Sequence, residues 1–182
     1  MQYITKTVAM KDGRSATFRA PDPARDAGAM LDYLKATAAE TEFLSRTPAE
    51  CDIPEENEKA FLESTLRMKN AVMIVCEVDG TLAGNCEIVF ETRVKKKHRA
   101  TVMIAVLQKF WGLGIGTAMF REMIDLARAH GTEQLELSVV EGNERAIALY
   151  RKMGFETVGT LPDAFRLSGS VSAGEILMRR VL

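Results

Sequence analysis

Hydrophobic and polar positions follow two different periods along this chain, and the change of period predicts where strands give way to helices. Turn signals favour a hairpin around Lys11-Asp12-Gly13 and a second hairpin around Asp79-Gly80. The predicted strands cover residues 3–9, 15–19, 71–78, 81–90, 101–107, 134–140, 155–161 and 175–181.

Apolar residues spaced by three and four positions predict four helices between these strands. Each of them has a start or a stop signal that favours its position in the chain. The helices are expected to begin at Asp22-Pro23, Pro54, Gly114 and Asn143, and the last two are expected to end at Gly131 and Gly154.

Two of the predicted helices have an apolar side that can be read from the spacing of its residues. The second helix carries Phe61, Leu62, Thr65 and Leu66 on one side. The third helix, over 114–130, is expected to direct toward the sheet the residues Ile115, Phe120, Met123, Ile124 and Ala127.

The order of these elements predicts a single mixed α/β domain over residues 1–182. A crossover through the helix at 114–130 makes the strand at 134–140 parallel to the strand at 101–107. We therefore expect a central mixed sheet of six to seven strands, flanked by about four helices.

A glycine-rich turn, Gly112-Leu-Gly-Ile-Gly116, connects the strand at 101–107 to the helix at 114–130. Glycines allow a ligand oxygen to approach the main chain, and the first N–H groups of a helix lack partners within it. The turn therefore predicts a phosphate site. It lacks the Gly-Lys-Ser/Thr of a P-loop, and its third glycine comes one residue early for a dinucleotide fingerprint. A tight turn that needs glycine for packing alone is the alternative.

A second motif, Asn143-x-x-Ala146-x-x-Leu149-Tyr150, begins 27 residues after Gly116 and is followed by Gly154-Phe155. The two motifs, in this order and at this spacing, resemble the acetyl-CoA-binding core of the GNAT N-acetyltransferases. The resemblance is strongest over residues 98–160, and the elements on either side are compatible with the same fold.

This resemblance implies how a coenzyme A thioester would be bound. The two parallel strands would splay apart, and the pantetheine arm would pair with the first of them at Ile104, Ala105 and Val106. One position departs from the family, which often has Arg or Gln where this chain has Trp111, so the pyrophosphate would depend more on backbone amides. The other implied cofactor-binding residues are Gly112, Leu113, Gly114, Ile115, Gly116, Thr117, Asn143 and Tyr150.

The resemblance also implies chemical roles for two side chains of the second motif. Tyr150 would act as the general acid that protonates the departing thiolate, and a tyrosine packed only for structure is the alternative. Asn143 would hydrogen-bond the pantetheine as well as cap the helix, and capping alone is an equal alternative.

The general base is not identified by the sequence. An alkylammonium has a pKa of about 10.4, so a residue near the sheet has to accept its proton before attack. The family has no universal base, and the candidates in this chain are Glu87, Glu91, His98 and Glu136.

The acceptor is expected to be a primary amine of a small molecule. Acidic residues crowd the segment 40–58 (Glu40, Glu42, Glu50, Asp52, Glu55, Glu56 and Glu58), where an acidic rim would attract a cationic acceptor, although acids in a first helical turn also simply complement the helix dipole. A protein N-terminus or lysine as the acceptor, and a non-catalytic acyl-CoA-binding module, are the alternatives. Residues 167–174 are predicted to form a flexible connection that is either a lid over the acceptor or a plain loop.

Composition narrows the classes of partner. With 47% hydrophobic and 27% charged residues and a net charge of −1, the chain is not expected to bind nucleic acid or membranes. Cys51, Cys76 and Cys86 lack metal-type spacing, so no metal is predicted, and a cytoplasmic location is expected. The sequence leaves open the acyl-chain preference and the oligomeric state, with a homodimer among the options.

Overall fold

A computed structural model describes residues 3–182, except for the side chain of Ser170. Within these residues, eight strands form one mixed sheet in the order β1-β2-β3-β4-β5-β6-β8-β7. The strands are β1 (Lys6–Ala9), β2 (Ser15–Arg19), β3 (Ala71–Val78), β4 (Thr81–Phe90), β5 (Arg99–Val106), β6 (Gln134–Val140), β7 (Glu156–Arg166) and β8 (Ser172–Val181).

The sheet is larger than the six to seven strands expected, because the N-terminal hairpin joins it. β2 pairs with β3 in antiparallel fashion, with Thr17 opposite Glu77 and Arg19 opposite Val75. Among the described strands, β5 and β6 form a parallel pair and all other neighbours are antiparallel. The predicted mixed α/β fold with one parallel pair is therefore confirmed.

Four α-helices lie in the described part of the chain: α1 (Pro23–Glu40), α2 (Glu55–Arg67), α3 (Ile115–His130) and α4 (Glu144–Lys152). The Asp22 side chain accepts hydrogen bonds from the N–H groups of Ala24 and Arg25, and this cap fixes the start of α1. Of the helices in residues 3–182, none combines the length and the apolar character that a membrane span requires.

The helices cover both faces of the sheet. The Tyr33 hydroxyl of α1 donates to Asn85 Oδ1 on β4, whereas His130 at the end of α3 stacks on Phe90 of the same strand. Residues 85 and 90 of one strand point to opposite faces, so α1 and α3 lie on opposite sides of the sheet. The predicted buried side of α3 is confirmed, and it also includes Met119, which is fully buried.

The predicted side of α2 is wrong at two of its four positions. Phe61 is 51% exposed and Leu66 is 43% exposed, whereas Glu58, Leu62 and Thr65 are buried. The buried positions 58, 62 and 65 are separated by four and three residues, so they also lie on one side of a helix. The buried face of α2 therefore includes a carboxylate. This rotation of α2 directs Glu58 into the protein.

The last hairpin is longer than the sequence indicates. β7 extends to Arg166 and β8 starts at Ser172, which leaves a connection of 167–171 instead of 167–174. Pro162 lies inside β7, where the register shifts between Leu161 and Phe165. A proline is tolerated there because β7 is an edge strand and the bulge removes the need for its missing N–H.

Candidate active site

The parallel strands β5 and β6 separate soon after they begin, and a cleft opens between them. They pair at Arg99 with Gln134, Ala100 with Leu135, and Thr101 with Glu136, and no further along. The later residues of both strands line one large cavity of about 1410 Å³. The glycine turn, α4 and the segments of α1 and α2 that face the sheet complete its walls.

The end of β5 presents backbone groups to this cleft. Leu107 N–H donates to Ala83 O on β4, and Arg99 O accepts from Glu91 N–H, so the odd-numbered residues of β5 bond toward β4. Backbone groups alternate in direction along a strand, and those of Ile104 and Val106 therefore point to the cleft. The backbone of Ala105, the third residue expected to pair with the pantetheine, points toward β4 instead. The carbonyl of Val106 accepts a hydrogen bond from Trp111 Nε1 at 2.6 Å.

The glycine turn presents further main-chain donors at the mouth of the cleft. Gly112 and Gly114 have φ angles of 79° and 95°, which an L-residue with a side chain rarely adopts. Gly114 is the N-cap residue of α3 and provides no side-chain cap. Within residues 3–182, the N–H groups of Ile115, Gly116 and Thr117 have no hydrogen-bond acceptor, as expected for the first turn of a helix.

Gly116, the third glycine of the turn, has a different structural role. It lies inside α3, and a Cβ atom there would come within 3.0 Å of Leu149 Cδ2 on α4. The absence of a side chain at this position thus allows α3 and α4 to approach each other closely. The alternative that glycine is needed for packing alone therefore applies to Gly116. At Gly112 and Gly114, glycine is required by the positive φ angle of the backbone.

Two cations that the sequence analysis missed lie at the mouth of the cleft. Lys11 N–H donates to Leu113 O, and the Lys11 side chain runs past the turn with Cγ 3.7 Å from the place of a Cβ on Gly114. The Arg145 guanidinium lies 4.3 Å above the Trp111 ring. Positive charge therefore stands near the open amides although the turn itself contains none.

Tyr150 lies inside the cleft on α4. The residue is 8% exposed, and its ring meets Phe120 edge-on with the ring centres 5.4 Å apart. Burial raises the pKa of Tyr150 to about 12. Its hydroxyl has no hydrogen-bond partner among the described residues, and the residue lines the cavity. The ring is thus fixed by packing while the hydroxyl stays available to a ligand.

Asn143 both caps α4 and lines the same cavity. Its Oδ1 accepts from Ala146 N–H at 3.2 Å, which confirms the predicted cap. The Nδ2 group of the amide has no partner in the described structure, so the side chain has a donor left for a ligand.

Of the four candidate bases, the described cavity wall contains Glu87. Burial raises the pKa of Glu87 above the usual range of a carboxyl group. Glu91 lies instead at a separate small pocket of about 170 Å³, and His98 and Glu136 lie outside both.

The surroundings of Glu136 explain why it is a poor base. Burial favours its neutral form, but the ion pair with Arg99 and the hydrogen bond from Gln134 outweigh burial and hold its pKa below the usual range. His98 sits where β5 and β6 begin, and its carbonyl accepts from the N–H groups of Glu133 and Gln134.

A cleft formed by a splayed parallel pair, with open amides at its mouth and a buried tyrosine inside, defines the class of the protein as an acyltransferase. The chain belongs to the acetyltransferase (GNAT) family, whose family model matches residues 35–155. It is an N-acetyltransferase of that family.

Individual relatives agree with this family but differ in acceptor. An N-alpha-acetyltransferase from Sulfurisphaera tokodaii is 35% identical over 120 residues, covering 60% of this chain and 71% of the relative. The L-amino acid N-acetyltransferase AaaT from Escherichia coli is 28% identical over 109 residues, covering 59% of this chain and 67% of the relative. The crystal structure of a GNAT-family acetyltransferase from Streptococcus pneumoniae superposes with a TM-score of 0.83 at 24% identity, covering 92% of this chain and 99% of that one.

Proposed function

We propose that the protein transfers the acetyl group of acetyl-CoA to the primary amine of a small molecule, by direct attack in a ternary complex. The observation that carries this proposal is a single cavity lined by the glycine turn, the end of β5, Tyr150 and Glu87. Donors for a diphosphate, a strand edge for the pantetheine, an acid and a base thus line one cavity.

The residues at the mouth of the cleft fit the charge of coenzyme A. The free N–H groups of Ile115, Gly116 and Thr117 are the donors for the diphosphate, and Lys11 and Arg145 add the positive charge. Along β5, Ile104 and Val106 present backbone groups to the pantetheine arm. Acetyl-CoA supplies an activated thioester, and a β5 amide that hydrogen-bonds its carbonyl oxygen stabilises negative charge there, which is worth several kcal/mol.

Tyr150 supplies the proton that the departing sulfur needs. With a pKa of about 12, its hydroxyl is protonated at neutral pH and acts as a donor. An ordinary thiol has a pKa of about 8.5, so proton transfer to a water-exposed thiolate would be uphill. A buried cleft also disfavours a free charged thiolate, so the proton moves to sulfur while the carbon–sulfur bond breaks rather than after a thiolate has formed.

Glu87 is the base that we assign to the attacking amine. It lies on β4 opposite Met103 of β5, so it reaches the cavity from the strand beside the proposed thioester position. Its raised pKa brings the carboxylate closer in basicity to an amine than an exposed glutamate would be. The proton is accepted directly or through one water molecule.

The wall around the acceptor side favours a small molecule over a protein. A groove for a peptide would have to pass between the loop after α1 and the tip of the β7–β8 hairpin. That gap is bridged, because Ser168 donates to the Glu42 carboxylate with its N–H at 3.2 Å and with its hydroxyl at 2.6 Å. The amino-acid acetyltransferase among the relatives supports this choice, whereas the N-alpha-acetyltransferase represents the alternative.

An amine panel followed by release of free thiol tests the proposal. Small amines and short peptides are compared at equal concentration, with calorimetry of acetyl-CoA binding alongside. For Tyr150→Phe we expect unchanged acetyl-CoA affinity and turnover reduced about 10²- to 10⁴-fold, because the ring packing stays and only the acid is lost. Equal turnover would remove Tyr150 from its assigned role, and faster acetylation of peptides would favour a protein acceptor.

A further inference from the structure

The acidic segment 40–58 does not form a free acidic rim. Most of its carboxylates are bound to groups of the protein itself, which is the structural alternative considered from the sequence. The bound carboxylates and their partners are Glu40 with Gln108 N–H, Glu42 with Ser168, Glu50 with Thr47, and Asp52 with Lys35.

Glu58 differs from these residues in two ways. It is 4% exposed, and within residues 3–182 its carboxylate has neither a hydrogen-bond nor an ion-pair partner. Burial raises its pKa, and the nearby Arg46 guanidinium opposes this rise. The Glu58 oxygens are not fully enclosed by protein atoms, and the residue lines the cavity, so the carboxylate faces the space that a ligand would occupy. A cationic group bound there would provide the partner that the described residues do not supply.

The position of Glu58 connects this carboxylate to the proposed chemistry. Glu58 and Leu62, one turn apart on α2, both line the cavity, as do Met73 on β3 and Glu87 on β4. Met73 and Glu87 are direct neighbours in the sheet, and α2 packs against β3. The buried face of α2 therefore looks toward the part of the sheet from which Glu87 projects.

Apolar side chains line much of the cavity that Glu58 faces. Phe61, nearly one turn after Glu58 on α2, and Ile53 are 51% and 40% exposed and both line the cavity, so an apolar ligand group there would cover apolar surface that water now contacts. The other apolar side chains of the cavity include Met30, Leu34, Phe43, Leu44, Leu62 and Met73.

We propose that Glu58 binds the ammonium group of the acceptor, and that the acceptor is a primary amine with an apolar substituent. This inference rests on the proposed function and specifies its substrate class. An ammonium group next to an apolar substituent is found both in a plain apolar monoamine and in a hydrophobic amino acid. Arg46 lines the same cavity as Glu58, so an amino-acid carboxylate has a partner as well.

Steady-state kinetics with 3-methylbutylamine and leucine test the inference and separate its two sources. For Glu58→Gln we expect the KM of the preferred amine to rise about 10- to 100-fold, as when a charged hydrogen bond is lost. The KM of acetyl-CoA should change less than about twofold, because Glu58 lies on the acceptor side. If leucine is preferred, Arg46→Gln raises its KM and leaves that of 3-methylbutylamine unchanged.

Two further measurements separate binding from folding. The N-acetylated product has no ammonium group, so its inhibition constant should be equal for the parent protein and Glu58→Gln. A distorted pocket would change this inhibition constant as well as the KM of the amine. Glu56→Gln, an exposed neighbour on the same helix, is the matched control and should leave all constants unchanged. Because the Glu58 carboxylate makes no hydrogen bond or ion pair within the described residues, Glu58→Gln should also leave the thermal stability about equal.

The possible failures are distinguishable. An unchanged amine KM in Glu58→Gln, or faster acetylation of spermidine and glucosamine than of apolar amines, overturns this inference and leaves the proposed function in place. Absence of acetyl-CoA binding, or of amine-dependent thiol release, overturns the proposed function and this inference with it.

Discussion

Substitution of Gly114 by alanine tests whether the glycine turn binds the diphosphate. Gly114 has φ 95° and ψ −6°, a left-handed conformation that costs a residue with a Cβ about 1–2 kcal/mol. The new Cβ would stand 3.7 Å from Lys11 Cγ, an ordinary contact, so strain is the main effect on folding. For a domain of this size we expect the melting temperature to fall by about 2–8 °C.

The effect on the cofactor should be larger than the effect on stability. The Cβ enters the space between the free amides of α3 and the Lys11 side chain, where a phosphate oxygen has to approach. A hydrogen bond to a charged group contributes about 1.5–3 kcal/mol, so misalignment of one amide should weaken acetyl-CoA binding about 10- to 100-fold. Isothermal titration calorimetry measures the affinity directly, without dependence on the acceptor.

Gly131 provides a matched control at the other end of the same helix. It is also left-handed, with φ 79° and ψ 24°, and a Cβ there would meet no atom within 4 Å. Gly131→Ala should therefore lose similar stability and keep the parent affinity for acetyl-CoA. If both variants bind acetyl-CoA as the parent protein does, or if both lose affinity equally, the glycine turn is not the diphosphate site.

Two more predictions concern the base and the cations of the cleft. Because the pKa of Glu87 is raised, activity should fall as the pH drops through that raised value and the carboxylate becomes protonated. In Glu87→Gln, turnover should be low, and this acidic limb should be absent from the pH–rate profile. Arg145→Ala should raise the Kd of acetyl-CoA and make binding less sensitive to salt, whereas Arg151→Ala, at the other end of α4, should change neither in calorimetry at two salt concentrations.

Local signals in the sequence were sufficient for most of the fold. Asp79-Gly80 adopts the positive φ angles that a two-residue turn requires, and both strands around it have the predicted bounds. Asp22 caps the start of α1 and Gly131 ends α3, each through hydrogen bonds with groups at most four residues away. Such signals act within one turn of chain, so they can be recognised without knowledge of the tertiary structure.

The parts that the sequence did not reveal depend on contacts between distant segments. Lys11 reaches the glycine turn because the β1–β2 hairpin lies beside it, and no spacing in the chain expresses that contact. Glu58 resembles an ordinary acid in the first turn of a helix, and its burial depends on how α2 is rotated against the sheet. β7 continues past residue 161, where the strand was expected to end, because an edge strand tolerates Pro162.

The family often has Arg or Gln where this chain has Trp111. Positive charge is nevertheless present at this place, because the Arg145 guanidinium lies over the Trp111 ring. Trp111 is anchored to the end of β5 through the Val106 carbonyl, and its ring face holds the Arg145 guanidinium. Arg145 belongs to α4, the nine-residue helix that also carries Tyr150. A diphosphate bound by Arg145 would therefore fix the position of the helix that presents the acid, so that binding the donor also aligns the hydroxyl with the sulfur.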